Sequence, residues 1–379
     1  MKFVHLSDLH LGKRLNEFSL LEDQRDILLK ILDIIDDVLP DGVFLAGDIY
    51  DKSVPSTEAV ALFDDFLVAL NRRHLPVFVI SGNHDSPERL AFGNRLLSLN
   101  SIYLAPVYDG NITKVSMEDS YGMVDIYLLP FLKPGHVRRY FSDVEIASYT
   151  DAIAAVLGKI SCVPQHRNVL ITHQFVTGAE RSASEEISVG GTDQVDASVF
   201  DDFDYVALGH LHGPQNVCSP RLRYCGTPLK YSFSEAGHQK SVSVVELKEK
   251  GSLWVQTVPL TPLHEMVELK GTYEELTARD FYLNTSLSED YVHITLTNEE
   301  DIPEALAKLR TIYHNLMKLD YDNARTRHNE PINGVAEAEK QSPLELFSDF
   351  YQQQNNAPLS EVQRDYMQKL IAGIWGEER

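Results

Sequence analysis

Five short apolar runs constrain this chain more than anything else in it: FVHL at 3–6, GVFLA at 42–46, VFVI at 77–80, VLIT at 169–172 and YVAL at 205–208. None alternates with polar residues, which is the pattern of a strand covered on both faces. Helical patterns separate the first three. Residues 22–38 put Ile27, Ile31, Ile34, Ile35 and Val38 on one stripe, and a second helix over 56–70 follows Pro55. Strands alternating with helices read as an α/β domain. Two later runs, 241–247 and 253–258, alternate more clearly around the turn signal KEKGS and read as a hairpin.

The texture changes near Pro262. YVHITLT at 291–297 puts Val292, Ile294 and Leu296 on one strand face, a helix is expected from Pro303 with Leu306, Leu309, Tyr313 and Leu316 in register, and MKLDY reads as another strand. These make a small α+β unit. A polar, aperiodic stretch then reads as a linker. Ser342-Pro343 opens a helix, and Ser360 with Gln363 forms a capping-box signal for a second. A helix pair this small cannot bury its own apolar stripes and needs a surface to lie on.

The buried strands end in unusual company. LSDLHLG places Asp8 and His10 after the first, LAGDIYD places Asp48 and Asp51 after the second, and GNHD places Asn83 and His84 after the third. ITHQF ends the fourth in His173, and LGHLHG ends the fifth in His210 and His212. Groups beyond the C-terminal ends of strands in an α/β sheet converge on one crevice. In D-x-H and H-x-H both side chains lie on the same side of an extended segment. Convergent Asp, His and Asn suit two divalent ions, and mixed imidazole and oxygen ligands favour Mn, Fe or Zn over Ca. Such a pair clamps a phosphate and needs no serine or cysteine nucleophile.

Composition adds less. The formal net charge of −22 disfavours a free-standing nucleic-acid binder and fits a protein that binds cations. Three cysteines without C-x-x-C spacing suit a reduced, cytoplasmic chain, and no apolar stretch is long enough for a membrane span.

The ordered series D-x-H, G-D-x-x-D, G-N-H-D, H and G-H-x-H resembles the calcineurin-like metallophosphoesterase superfamily. HLSDLHLGKRL, GDIYDKSVPS, GNHDSPERL, VGGTDQV and GTPLKYSFSE together resemble its SbcD family of bacterial Mre-type nucleases. The resemblance implies a four-layer αββα metallophosphoesterase sandwich over 1–261, an α+β capping domain over 262–325, a linker over 326–342, and a helix pair over 343–379 that docks on an SbcC-like coiled-coil ATPase. It implies that Asp8, His10 and His212 hold one metal, with Asp48 bridging, and that Asn83, His173 and His210 complete the second, with Mn²⁺ as the expected ion in both. His84 would act on the substrate, oriented by Asp51. The implied activity is cleavage of DNA ends, hairpins and single strands, by a homodimer within a heterotetramer. A phosphodiesterase or phosphatase for small phosphoesters is the alternative, and a scaffold without chemistry ranks last because every ligand position is filled.

Some residues stay outside this pattern. Lys13, Arg14 and Arg89 are loop cations that read singly as solvated surface charges and as a set as contacts to DNA phosphates, Tyr231 and Phe233 read as core, and Asp85 reads as support for its turn. The segment 174–199 reads equally as a guiding loop or a surface excursion. His5, His74, His166, His238, His264, His293 and His314 read as structural.

Overall fold

The computed structural model describes residues 1–180, 193–327, 342–355 and 357–375, in two compact units, Met1–Glu265 and Met266–Arg379. The middle of the segment read as a guiding loop or a surface excursion, including much of VGGTDQV, lies outside the described residues, as does most of the expected linker.

The first unit holds two six-stranded sheets. The strands of these two sheets in chain order are β1 (Lys2–Leu6), β2 (Gly42–Ala46), β3 (Val77–Ile80), β4 (Ile102–Ala105), β5 (Thr113–Asp119), β6 (Gly122–Leu129), β7 (Arg167–His173), β8 (Tyr205–Gly209), β9 (Gln215–Val217), β10 (Ser219–Tyr224), β11 (Ser241–Leu247) and β12 (Leu253–Pro259). One sheet runs β12-β11-β1-β2-β3-β4 and the other β9-β10-β8-β7-β6-β5. The central strands β1 to β4 are mutually parallel, as are β6, β7, β8 and β10, whereas β11, β12, β5 and β9 pair antiparallel at the margins. The five runs therefore form the centres of both sheets, with their C-terminal ends aligned. The expected hairpin is β11 and β12, in register from Ser241 opposite Pro259 to Leu247 opposite Leu253.

The sheets face each other across one core, in which Phe3, Phe44, Phe78 and Ile80 meet Val124, Ile126, Val169, Ile171 and Tyr205. Alternate residues face outward yet are equally buried. The outer side of the second sheet packs Leu170, Val206 and Leu208 with Ile153 and Val156 of the helix Tyr149–Leu157. Val4, Val43, Leu45, Val77 and Val79 on the outer side of the first sheet are buried too. The helices α1 (Leu21–Val38) and α2 (Thr57–Arg72) carry the stripes that such a face requires, Ile27, Leu28, Ile31 and Ile35 on one, Leu62, Phe63, Phe66 and Leu70 on the other. The expected layered sandwich is thus borne out.

The second unit contains a parallel three-stranded sheet of β13 (Met266–Gly271), β14 (Tyr291–Leu296) and β15 (Leu316–Tyr321). The helix expected from Pro303 is shorter than its periodicity suggests. It spans Ala305–Leu309, Leu306 is exposed, and Tyr313 and Leu316 are buried outside it. Leu316 is claimed by β15, so strand pairing overrides local propensity. The helices Pro343–Asn355 and Glu361–Trp375 follow, and Ser360 and Gln363 form the expected reciprocal cap, with Ser360 N donating to Gln363 Oε1 at 2.9 Å and Gln363 N to Ser360 Oγ at 3.3 Å. Among the described residues no helix is long and apolar enough to cross a membrane.

Candidate metal centre

The strand ends of both sheets are tied together by the backbone. Asp8 N donates to Gly47 O, His10 N to Asp48 O and Leu11 N to Ile49 O, at 2.9–3.0 Å, so the D-x-H and G-D-x-x-D loops are laced side by side. Asp85 binds the GNHD turn to the same loop by accepting from Gly82 N, Ile49 N and Tyr50 N at 2.9–3.1 Å. His210 N from the second sheet donates to the Asp8 carboxylate at 3.1 Å. Four of the predicted ligands sit at positive φ, Asp8 at 53°, His10 at 44°, Asp48 at 48° and His210 at 107°. Non-glycine residues avoid this region, and strain of this kind gathers where structure holds a side chain for a purpose.

All seven predicted ligands are brought to one place. Ligand atoms of Asp8, His10 and His212 lie within 4.8 Å of one another, as do those of Asp8, Asp48 and His173 and those of His10, Asp48 and His84. Asn83 Oδ1 lies 3.0 Å from both His173 Nε2 and His210 Nδ1. Asp48 links the halves, with Oδ2 3.3 Å from His173 Nε2 and 3.8 Å from His10 Nε2.

The residues fit divalent ions. His10 is 1% exposed, yet neither of its ring nitrogens has a hydrogen-bond partner among the described residues, an arrangement that a ligand resolves and a core does not tolerate. Close packing leaves the surrounding backbone no room for side chains. A Cβ on Gly47 would stand 2.5 Å from His173 Nδ1 and 2.9 Å from Gly82 N.

The charges are strongly coupled. Burial alone would lower His173, but the Asp48 carboxylate raises it to about 9. Burial raises Asp8 to about 6, with Asp48 adding and His173 and His212 opposing. Burial would also raise Asp48, yet the surrounding imidazoles hold it below the ordinary carboxylate range. Burial drives His10 well below its usual value, leaving it neutral and able to ligate.

His84 stands beside this cluster, half-buried, its ring edge-on to His10 at 4.9 Å. The expected pairing with the Asp51 carboxylate is not what the structure contains. His84 Nδ1 lies 3.0 Å from the Asp51 backbone carbonyl, while the Asp51 carboxylate takes Lys13 Nζ at 2.7 Å. The loop geometry offers the carbonyl at the place where a carboxylate was expected, and this bond leaves Nε2 uncommitted. Lys13 is thereby engaged within the site, Arg14 donates to Glu17 O at 2.5 Å, and Arg89 is on the wall of a separate groove.

Several supporting residues escaped the sequence reading. Gln24 Oε1 accepts from Gly12 N at 2.9 Å and its Nε2 donates to His10 O at 2.7 Å, clamping the D-x-H loop. Its signal was a polar residue in the buried register of α1, one turn before Ile27 and Leu28. Glu235 Oε1 accepts from His212 Nδ1 at 2.9 Å and had no periodic signal at all. Tyr231 is buried as expected, and its hydroxyl also donates to Leu9 O.

Comparison with known proteins gives this geometry its family. A family model described as "Calcineurin-like phosphoesterase" matches residues 1–214, more than half the chain. A second, described as "Type 5 capsule protein repressor C-terminal domain" (SbcD_C), matches residues 262–355. The SbcD component of the SbcCD nuclease of Staphylococcus epidermidis is 34% identical over 382 residues, covering 100% of both chains. The chain belongs to the calcineurin-like phosphoesterases and, within them, to the SbcD nuclease family. The corresponding SbcCD nuclease component of Staphylococcus saprophyticus is 31% identical over 384 residues, covering 100% of this chain and 99% of its own. A dimetal phosphatase from Danio rerio covers 69% of this chain and 98% of its own at 12% identity with a TM-score of 0.41, a likeness too loose to add to the assignment. Family and site together make this chain a metal-binding hydrolase of phosphodiester bonds.

Proposed function

We propose that the chain is the catalytic subunit of a DNA-repair nuclease of SbcC–SbcD type, dependent on Mn²⁺ and gated by a partner ATPase. The observation that carries the proposal is the convergence of seven ligand residues from both sheets beside a histidine that is not among them. Asp8, His10 and His212 would hold one ion and Asn83, His173 and His210 the other, with Asp48 between them. Bound ions of this kind neutralise a phosphate and supply a nucleophile from water at neutral pH. His84, with Nδ1 on the Asp51 carbonyl, keeps Nε2 in place to stabilise the transition-state charge or protonate the leaving oxygen.

Residues 262–325 would orient DNA over the centre, with Lys13 and Arg14 as phosphate contacts, and the protein would work in the cytoplasm. The C-terminal helices leave Leu346, Phe350, Val362, Tyr366 and Leu370 exposed, which supports docking on a coiled-coil ATPase. A partner that supplies much of the grip reconciles DNA cleavage with a net charge of −22. Phe92 is 89% exposed and lines a groove of about 450 Å³ with Val60, Phe63 and Val68 of α2, and Leu99, two residues beyond the lining Leu97, is 80% exposed. Such a patch supports self-association, hence a homodimer within a heterotetramer.

The test is Mn²⁺-dependent digestion of end-labelled hairpin and linear DNA, with and without the ATPase partner. His84→Gln should keep its metal and lose about 10²–10⁴-fold in cleavage rate. A wild-type chain that binds metal and hydrolyses small phosphodiesters, but leaves DNA intact even with partner and ATP, would assign it to the alternative substrate class.

A further inference from the structure

The segment GTPLKYSFSE at 226–235 carries much of the sequence likeness yet contributes none of the seven ligands. Its side chains converge on one half of the centre. Glu235 is fully buried; Oε1 accepts from His212 Nδ1 at 2.9 Å and Oε2 from Lys240 Nζ at 2.6 Å. Lys240 Nζ also donates to the His212 carbonyl at 2.9 Å and to Thr227 Oγ1 at 2.7 Å, while Thr227 N donates to that same carbonyl at 3.2 Å. His212 is therefore held at its ring and at its backbone by one buried, charge-balanced cluster. With Nδ1 donating to Glu235, the tautomer that results places the acceptor lone pair of the ring on Nε2.

Tyr231 acts on the neighbouring ligand. Its hydroxyl donates to Leu9 O and accepts from Gln24 Nε2 at 3.1 Å, and its ring stands edge-on to His10 at 5.6 Å and to His212 at 6.3 Å. By contrast, the rings of His173 and His210 meet Ala46 O, Asn83 and Phe131.

We propose that Glu235 and Lys240, assisted by Tyr231, are positioning residues for one metal position only, the Asp8–His10–His212 side, and set its affinity. This rests on the two-metal reading above. Glu235→Ala alone would strand the Lys240 ammonium and endanger folding, whereas Glu235→Leu with Lys240→Met removes both charges at similar volume. The experiment is calorimetric titration of Mn²⁺ into the metal-free full-length chain. Wild type should take up two ions. The paired variant should keep one at wild-type affinity and bind the other about 10–100-fold more weakly. In a His212→Gln background the same paired change should cost much less, because only the hold on the backbone of residue 212 is left to lose.

Weakening of both positions together, of neither, or an undiminished loss in the His212→Gln background would overturn the assignment. A wild type that takes up fewer than two ions would overturn the two-metal reading and this inference with it. A two-ion wild type isolates the inference.

Discussion

Gly47→Ala measures how tightly the backbone is built around the centre. Gly47 has φ +89°, and its Cβ would stand 2.5 Å from His173 Nδ1 and 2.9 Å from Gly82 N and Cα. Ordinary close approaches of carbon to a polar atom are about 3.3 Å, so the Gly82 backbone must retreat by about 0.4 Å and the imidazole by about 0.8 Å. Placing a side chain in a left-handed conformation costs about 1–2 kcal/mol, and overpacking costs about 1–3 kcal/mol. Displacing His173 from Ala46 O forfeits a further ~0.5–1.5 kcal/mol of hydrogen bonding. The total is about 2.5–6.5 kcal/mol, which lowers Tm on the order of 10 °C in a unit of this size.

Metal uptake should fall as well, because ligand distances tolerate only about 0.2 Å. Gly122→Ala is the control, since Gly122 has φ +100° with nothing within 4 Å of its Cβ and carries the backbone penalty without the crowding. Scanning calorimetry and Mn²⁺ titration on both variants make the comparison. A Gly47→Ala chain no less stable than Gly122→Ala, with intact metal uptake, would refute the reasoning.

Four further outcomes are expected. Asp51→Asn should retain cleavage within about tenfold, because His84 leans on the Asp51 carbonyl and not its carboxylate; a loss as large as that of His84→Gln would restore the carboxylate dyad. His173, raised from 6.5 to about 9, contributes stability that is complete below pH 6.5 and lost as pH climbs through 9. Asp8, raised from 3.8 to about 6, removes stability between those values, so the metal-free chain should weaken from neutral to alkaline pH in denaturant titrations. Since a ligating imidazole must be neutral, Mn²⁺ binding at pH 7.5 should release about one proton, read from binding enthalpies in two buffers; no release would contradict the His173 assignment. Phe92→Asp with Leu99→Asp should shift the chain toward monomer in sedimentation, while an unchanged mass would detach this patch from self-association.

The strands were legible because burial on both faces leaves an unbroken apolar run, and β2 and β3 begin and end where their runs do. The ligands were legible because Asp, Asn and His at the ends of such runs have no other reason to be there. What escaped lacked a local pattern. β5 alternates weakly, and β6 carries Asp125, buried only because Ser116, Lys114 and His166 meet it. The Asp51 carbonyl reaches His84 through a main-chain group that no side-chain motif encodes. Glu235 gains its meaning from His212, 23 residues away along the chain. The helix after Pro303 misled because its apolar spacing is shared between a short helix and the strand that follows.

Because the ligands come from two sheets laced at their ends, the centre assembles only when the whole sandwich has closed. A ribosome that has made the chain as far as the end of β6 has already supplied Asp8, His10, Asp48 and Asn83, but His173, His210 and His212 arrive only with β7 and β8. Stalled synthesis or proteolytic clipping between them leaves the cell with fragments that lack three imidazoles and the charges that hold them. A hydrolase of phosphodiester bonds thus carries its own safeguard against half-made copies, written into the order in which its strands appear.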